Sequence, residues 1–120
     1  MTVMIVAEPG RLRDGLQAML ASFLDAEPLV AGDDRVAAVE AIRAARPDLV
    51  ILDSGLFGSG AEALVRELKT EQNCTGCIVV VERVTHLRAM QDAGADHVLL
   101  KGFQATRLFN AVEQLLRQNG

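Results

Sequence analysis

The stretch Leu-Val-Ile-Leu-Asp at residues 49–53 decides the fold, because an unbroken apolar run ends there on a single carboxylate. A second unbroken run, Ile78 to Val81, consists of β-branched side chains. Runs of this kind are typical of strands that are buried on both faces, and such strands occur mainly in parallel sheets. We therefore predict a third strand over 49–52 that ends at Asp53, and a fourth strand over 78–81.

Apolar runs of this kind alternate with helical patterns along the whole chain. The other strands are predicted at Val3 to Ala7, around Leu29 to Ala31 and at His97 to Leu100. A helical pattern follows each strand, with apolar residues three or four positions apart. Strict alternation with short connections predicts right-handed crossovers and helices on both faces of the sheet. The expected fold class is therefore α/β, a doubly wound (βα)₅ domain with a parallel five-stranded sheet.

The helical patterns also predict which side chains face the sheet. These are Leu12, Leu16, Met19, Leu20 and Phe23 in the first helix, Val36, Val39, Ile42 and Ala45 in the second, Leu64, Val65 and Leu68 in the third, Leu87 and Met90 in the fourth, and Leu108, Val112, Leu115 and Leu116 in the last. Asp33 or Asp34 is expected to cap the second helix and Thr85 the fourth. Gly94 stands where the fourth helix should end.

Length and composition limit the possible functions. A chain of 120 residues fits one domain, residues 1–120. The net charge of −4 gives no electrostatic footprint for nucleic acid, so we expect this domain to bind none. The sequence shows neither a signal peptide nor an apolar run of membrane-spanning length, which predicts a soluble cytoplasmic protein that does not enter the membrane.

Two cysteines, Cys74 and Cys77, form a C-x-x-C motif. A redox pair usually opens a helix, whereas this motif leads into the fourth strand. A structural zinc site needs four ligands, and the sequence contains no second cysteine pair. We therefore interpret both residues as ordinary thiols at a junction between a loop and a strand.

Charged residues follow four of the predicted strands. Glu8 follows the first, Asp53 closes the third, Glu82 follows the fourth and Lys101 follows the fifth. In an open parallel sheet, ligands bind beyond the carboxyl ends of the strands. Polar residues are common at exposed strand ends, and this alone could explain any one of these four residues. It explains Asp53 and Lys101 less well, because each of them closes an apolar strand. Clustered carboxylates favour a cation such as Mg²⁺, and a lysine beside them can neutralise a phosphoryl group.

Three segments resemble those of response regulator receiver domains. Residues 5–16, from Ile5 to Leu16, resemble the acidic loop and first helix of that family. Residues 49–53 resemble the strand that bears its phosphorylated aspartate. Residues 93–103, from Ala93 to Phe103, resemble its fifth strand and lysine loop. The similarity extends over the whole chain in register, and it implies the flavodoxin-like strand order 2-1-3-4-5.

The resemblance implies a role for each matching residue. Asp53 would accept a phosphoryl group from a phosphohistidine on a sensor histidine kinase. Glu8, Asp53 and the backbone carbonyl of Gly55 would bind Mg²⁺, and Lys101 would contact the phosphoryl oxygens. Such a domain is a phosphoacceptor in two-component signalling rather than an enzyme, with at most slow self-dephosphorylation.

The sequence departs from the family at several of these positions. Ala7 replaces the first of two adjacent acids, and the lost acid is expected to weaken Mg²⁺ binding about 10–100-fold. Counting along the fourth strand puts Glu82, or alternatively Val81, where the family has Ser or Thr, and neither carries a hydroxyl. A glutamate there would repel a phosphoryl group by roughly 3 kcal/mol per unit charge at about 6 Å. Val98 replaces the aromatic side chain that changes orientation in the family. Phe57 replaces a proline.

Two hypotheses follow from these departures. Either Glu82 takes over from the lost acid and Asp53 is still phosphorylated, or a glutamate pairs permanently with Lys101. The second hypothesis describes a phosphate-independent pseudo-receiver that acts as an interaction and dimerisation module. A third interpretation comes from residues 58–63, which fit the dinucleotide-binding pattern G-x-G-x-x-A. These residues neither follow their strand directly nor belong to the first βα unit, which argues against that interpretation.

The family also suggests partners. The last helix, Arg107 to Gln118, carries a regular apolar stripe, and related domains often dimerise through this region, so a homodimer is expected by analogy. Two arrangements are open: the domain stands alone, or it is followed by an output domain outside this chain, which in this family often binds DNA. His86 and His97 lack a companion nucleophile, and we predict no catalytic role for either.

Overall fold

The structure is a computed structural model that describes residues 2–23, 28–31, 35–56, 60–71 and 76–119. Five parallel strands form one sheet in the order β2-β1-β3-β4-β5. The strands are β1 (Val3–Val6), β2 (Leu29–Ala31), β3 (Leu49–Asp53), β4 (Gly76–Val81) and β5 (His97–Leu100). The helices are α1 (Arg11–Phe23), α2 (Arg35–Ala45), α3 (Gly60–Thr70), α4 (Leu87–Ala93) and α5 (Ala105–Asn119), with 3₁₀ turns at Ser54–Leu56 and Val84–His86. The predicted fold class and strand order are confirmed.

The central strands β1, β3 and β4 are buried on both faces, as their uninterrupted apolar sequences predicted. Successive side chains of a strand point to opposite faces, so the sheet divides the interior into two cores. Helices α2, α3 and α4 cover one face and form the three-helix core, which includes Ile42, Leu52 and Leu68. Helices α1 and α5 cover the other face and form the two-helix core, which includes Leu16 and Leu108. Among the described residues, no helix is long and apolar enough to cross a membrane.

The inward face of α2 differs from the prediction. Val36 is 62% exposed and Ala45 is also exposed, whereas Ala38, Val39 and Ile42 are buried. Ala38 and Ile42 lie four residues apart on one face of the helix, whereas Val36, two residues before Ala38, points to the opposite, solvent side. The apolar spacing alone did not identify Ala38, because alanine fits either side of a helix. The predicted caps Asp33 and Asp34, the side chains of Phe23 and Leu116, and Cys74 lie outside what the structure describes.

The predicted cap of α4 is also wrong. Thr85 lies inside the 3₁₀ turn Val84–His86, and α4 begins after His86 without a side-chain cap. The backbone N–H of Leu87 donates to the carbonyl of Val84, so a backbone turn satisfies a donor that a Thr85 cap would have satisfied. The end of α4 is as predicted: Gly94 adopts a φ of 114°, a left-handed conformation that glycine accepts without strain.

Two aspartates fasten the amino-terminal edge of the sheet. Asp48 precedes β3, and its Oδ2 accepts the N–H of Thr2 at 2.8 Å, just before β1. Asp96 precedes β5, and its Oδ2 accepts the N–H of Cys77 in β4 at 2.8 Å and the Nζ of Lys69 in α3 at 2.9 Å. Both carboxylates therefore join neighbouring elements and have a structural role. Cys77 itself is buried in β4, one residue after the strand begins.

Charged side chains join α2 to α3 on the surface. Arg43 donates to both carboxylate oxygens of Glu71 at 2.9 Å and to Glu67 at 3.3 Å, and Arg35 also reaches Glu67 at 3.3 Å. The hydrogen bond to Glu71 and the charge of that carboxylate raise the pKa of Arg43 above its ordinary value. The guanidinium is therefore always charged in this link between the two helices.

We predict that Leu52→Ala lowers the free energy of unfolding by about 2–5 kcal/mol, because the change leaves a cavity in the three-helix core. Leu29→Ala is the matched control on the edge strand β2, where the side chain is 44% exposed, and it should cost less than half as much. Because the chain contains no Trp, urea unfolding followed by circular dichroism is the suitable measurement. Equal losses in the two variants would contradict the core assignment.

We predict that Asp96→Ala lowers the free energy of unfolding by about 1–3 kcal/mol, since it leaves the N–H of Cys77 without its carboxylate acceptor. Asp92→Ala in α4 is the control. Asp92 is 67% exposed and lies 4.0 Å from Arg88, and its loss should change stability by about 0.5 kcal/mol or less. The same unfolding measurement compares the two variants, and an Asp96→Ala protein as stable as the control would exclude the fastening role.

Candidate functional site

Asp53 closes β3 at the carboxyl edge of the sheet, where its side chain is half-buried. Its Oδ1 accepts the backbone N–H of Gly55 at 3.0 Å. Such a bond from a residue two positions on is characteristic of aspartate at the start of a turn. The next residue, Ser54, is buried and begins the 3₁₀ turn that carries the chain away from the sheet. The turn therefore fixes one carboxylate oxygen of Asp53 and orients the other.

Glu82 and Lys101 meet because the strands that carry them end side by side. Val81 of β4 pairs with Leu100 of β5, so the residue after each strand emerges at the same level. The N–H of Lys101 donates to the carbonyl of Val81 at 2.7 Å, and its Nζ lies 3.1 Å from Oε1 of Glu82. The two side chains are 47% and 58% exposed. An ion pair with this exposure contributes only about 0–1 kcal/mol, so it positions charge rather than stabilising the fold.

Gly55 leaves space between the two carboxylates. A β carbon on Gly55 would lie 3.3 Å from Oδ1 of Asp53 and 3.8 Å from Oε1 of Glu82. Both oxygens therefore border the same space above the Gly55 backbone. A side chain at this position would press against the carboxylate of Asp53, which gives a steric reason for glycine here.

Glu8 lies apart from this group. It is exposed and follows β1, whose last residue, Val6, pairs with Leu52 of β3. The chain therefore brings Glu8 to the same edge of the sheet as Asp53, but none of the hydrogen bonds or ion pairs between described residues involves it. Ala7 is 1% exposed and packs in the two-helix core. The position where related domains have an acid is thus occupied by a buried methyl group.

The donor set for Mg²⁺ is sparse. Within the described ranges, no group of three or more His, Cys, Asp or Glu side chains is arranged to hold a metal ion. Mg²⁺ nevertheless needs few protein ligands, because it keeps several waters and is often bound through one or two carboxylates. The space above Gly55, bordered by the carboxylate of Asp53, and Glu8 at the same edge of the sheet fit this requirement. The residues present therefore fit a weakly bound Mg²⁺ ion that keeps most of its water ligands.

A cleft of about 410 Å³ adjoins the site. Its walls are Ser54, Gly55, Glu62, Glu82, Arg83, His86 and Met90. Neither Glu62 nor Arg83 was predicted to line a cleft at this edge of the sheet, and His86 was predicted to have no catalytic role. The one sequence feature that could have indicated Arg83 and His86 as cleft residues is their position just after Glu82. Glu62 was not identifiable, because it reaches the cleft only through the orientation of α3.

Two further sequence interpretations can be compared with the structure. Val98 in β5 is partly buried and packs against the three-helix core. A short branched side chain therefore lies where the family resemblance predicts an aromatic side chain that changes orientation. For the dinucleotide pattern, residues 58 and 59 lie outside what is described. The turn Ser54–Leu56 separates β3 from α3, so the pattern does not follow its strand directly. This arrangement disfavours a dinucleotide site.

Comparisons with known structures agree with this geometry. A DNA-binding response regulator of the LuxR family from Staphylococcus aureus is 23% identical, with 96% of this chain and 98% of that chain covered and a TM-score of 0.79. The response regulatory domain of mrkE from Klebsiella pneumoniae is 17% identical, with 98% and 97% covered and a TM-score of 0.85. NtrX from Brucella abortus is 23% identical with a TM-score of 0.79, and the match covers 98% of this chain but 27% of that longer chain. At these identities the likeness shows the fold alone.

The family comparison is more specific. No curated protein matches the sequence. The family model described as the response regulator receiver domain matches residues 3–113, which is most of the chain and includes Glu8, Asp53, Glu82 and Lys101. The family model spans all five strands of the sheet. The chain therefore belongs to the family of response regulator receiver domains, the signalling domains of two-component systems.

Proposed function

We propose that the domain receives a phosphoryl group on Asp53 from a sensor histidine kinase and passes on the signal through a change in conformation or association. The observation that supports this most directly is the placement of Asp53. Its carboxylate is half-buried at the end of a central strand, with Oδ1 held by Gly55. Lys101 emerges two strands away on the same edge, within reach of Glu82 beside Asp53.

The reaction is a displacement at phosphorus. With Oδ1 engaged by the N–H of Gly55, we propose that Oδ2 of Asp53 attacks. A P–O bond forms, the P–N bond of the donor breaks, and its electron pair goes to the nitrogen, which takes up a proton. The protein mainly positions the groups and neutralises charge in such transfers. Lys101 would provide a positive charge for the phosphoryl oxygens.

A divalent cation would complete the charge balance. We propose Glu8, Asp53 and the backbone carbonyl of Gly55 as its protein ligands, with water at the other positions. When it is bound, Mg²⁺ neutralises negative charge on the phosphoryl oxygens. Because Ala7 carries no carboxylate, this site should bind Mg²⁺ more weakly than a site with two adjacent acids.

The proposed partners follow from the family. A sensor histidine kinase is the donor, and a DNA-binding output domain is the proposed recipient of the signal. A homodimer is also proposed, although the stripe Leu108, Ala111, Val112 and Leu115 of α5 is buried in the two-helix core of the domain itself. A second copy would therefore have to contact a different face of that helix.

A second candidate function is favoured by the Glu82–Lys101 ion pair. If Lys101 never leaves Glu82, this lysine is not available to a phosphoryl group, and the domain acts as a phosphate-independent interaction module. Val98 supports this candidate as well, since it cannot make the aromatic movement by which relatives report phosphorylation. Phosphorylation of Asp53 distinguishes the two candidates.

We predict that incubation with phosphoramidate and Mg²⁺ gives a phosphoryl adduct in the intact mass of the wild type and none in Asp53→Ala. Asp92→Ala, which alters an exposed aspartate away from the site, should form the adduct like the wild type. Circular dichroism checks that all three proteins are folded. A wild type that stays unmodified while folded would exclude phosphoryl acceptance and favour the interaction module.

We predict that Glu8→Gln lowers the affinity for Mg²⁺ by at least about 10-fold, because a carboxylate ligand becomes a neutral amide. Chemical-shift changes at the backbone amides of Asp53 and Gly55 during a Mg²⁺ titration give this affinity without any phosphoryl donor. Glu40→Gln on the exposed side of α2 is the charge-matched control and should leave the titration unchanged. If both variants titrate like the wild type, Glu8 is not a ligand.

A further inference from the structure

The ion pair between Glu82 and Lys101 is not explained by phosphoryl acceptance itself. A lysine needed for a phosphoryl group already has an anionic partner, with Nζ and Oε1 at 3.1 Å. Related domains are expected to have a hydroxyl side chain where this chain has Glu82. A carboxylate and a phosphoryl group accept hydrogen bonds from an ammonium group in the same way. Glu82 therefore offers Lys101 an internal substitute for phosphoryl oxygens.

We propose that Glu82 is a positioning residue that competes with the phosphoryl group for Lys101. In the unmodified domain Glu82 holds the ammonium group, and on phosphorylation of Asp53 the ammonium group transfers to the phosphoryl oxygens. The inference rests on the proposed function, because it names what controls that same site. It differs from a permanent ion pair in that the lysine exchanges between two anions.

The positions of the oxygens favour direct competition. Oδ1 of Asp53 and Oε1 of Glu82 border the same space above Gly55. Oδ2, the proposed acceptor atom, belongs to the same carboxylate, so a phosphoryl group on it would be added near Glu82, and both anions would lie within reach of the Lys101 side chain. The backbone of Lys101 is fixed by its 2.7 Å hydrogen bond to Val81. Only the side chain has to move, and with 47% of it exposed it has room to do so.

The charges favour exchange. A phosphoryl group carries roughly −2 charges near neutral pH, whereas Glu82 carries one, so it attracts the ammonium group more strongly. An exposed ion pair is weak, which means that it opens readily. After exchange, Glu82 remains as a like charge beside the phosphoryl group and shortens the life of the modified state. Glu82 would thus set how much phosphoryl donor is needed.

The test compares wild type with Glu82→Gln, which keeps the side-chain size and removes the charge. Glu62→Gln is the matched control, because Glu62 lines the same cleft but pairs with Arg66 at 3.9 Å rather than with Lys101. The first measurement is the rate at which acetic anhydride acetylates Lys101, read by peptide mass without phosphoryl donor. We expect Glu82→Gln to raise this rate by about 2- to 5-fold, as expected for the loss of an exposed ion pair.

The second measurement is the phosphoramidate concentration that gives half-maximal adduct at Asp53 in the presence of Mg²⁺. We expect this concentration to fall by about 10-fold in Glu82→Gln, because both the competition and the repulsion are removed. The control Glu62→Gln should resemble the wild type in both measurements. That combination of results supports the proposal.

The other outcomes have distinct meanings. An unchanged acetylation rate in Glu82→Gln would overturn the inference even if Asp53 is phosphorylated. A faster acetylation with an unchanged donor requirement would show that the ion pair forms but does not compete, which also overturns it. If Glu62→Gln changes both measurements as much as Glu82→Gln does, the effect comes from the total negative charge of the cleft, and the inference is overturned. An adduct in none of the proteins would overturn the proposed function, and the competition with it, while the acetylation rate would still report whether the ion pair exists.

Discussion

Burial of the three central strands on both faces is the constraint on which the other features depend. A polar side chain within β1, β3 or β4 would be cut off from water, so charged groups occur only where the strands begin or end. The two edges of the sheet use their carboxylates differently. Asp48 and Asp96 at the amino-terminal edge accept backbone N–H groups and fasten neighbouring strands. Asp53 and Glu82 at the carboxyl edge border open space, which leaves them available for chemistry.

At the carboxyl edge, some of the residues match what the proposed phosphoryl transfer requires and others do not. Asp53, Gly55 and Lys101 are in positions where an acceptor, a turn and a cation can act together. Ala7 packs in the two-helix core and Val98 packs against the three-helix core. Apolar contacts therefore replace the acid and the aromatic side chain that the family resemblance predicts at these two positions. Glu82 introduces a charge of its own and already binds Lys101. The departures therefore lie around Asp53, the proposed acceptor, while Asp53 and the turn that holds its carboxylate match the family.

Much of the fold was predictable from sequence because burial leaves long apolar runs. The five strands were placed within two residues of their ends, and the faces of α3 and α5 were identified where they are described. Prediction failed where small or polar residues have two possible environments. The burial of Ala38 was not predicted, and Val36 was wrongly predicted to face the sheet. Thr85 was wrongly predicted to cap α4, where backbone turns take that role. In the site, the sequence placed Asp53, Glu82 and Lys101 at one edge but left open whether Glu82 pairs with Lys101 or serves the metal. That choice depends on side-chain directions, which strand order alone does not determine.

The division of the interior into two cores has a consequence for how the sequence can diverge. Alternate residues of the same strand belong to different cores, and none of the described residues belongs to both. Substitutions that share no packing partner generally have additive effects on stability. Variation in the α1 and α5 layer can therefore accumulate independently of variation in the α2, α3 and α4 layer. A lineage can remodel one layer to suit a new partner while the other layer, inherited unchanged, continues to support the strand ends.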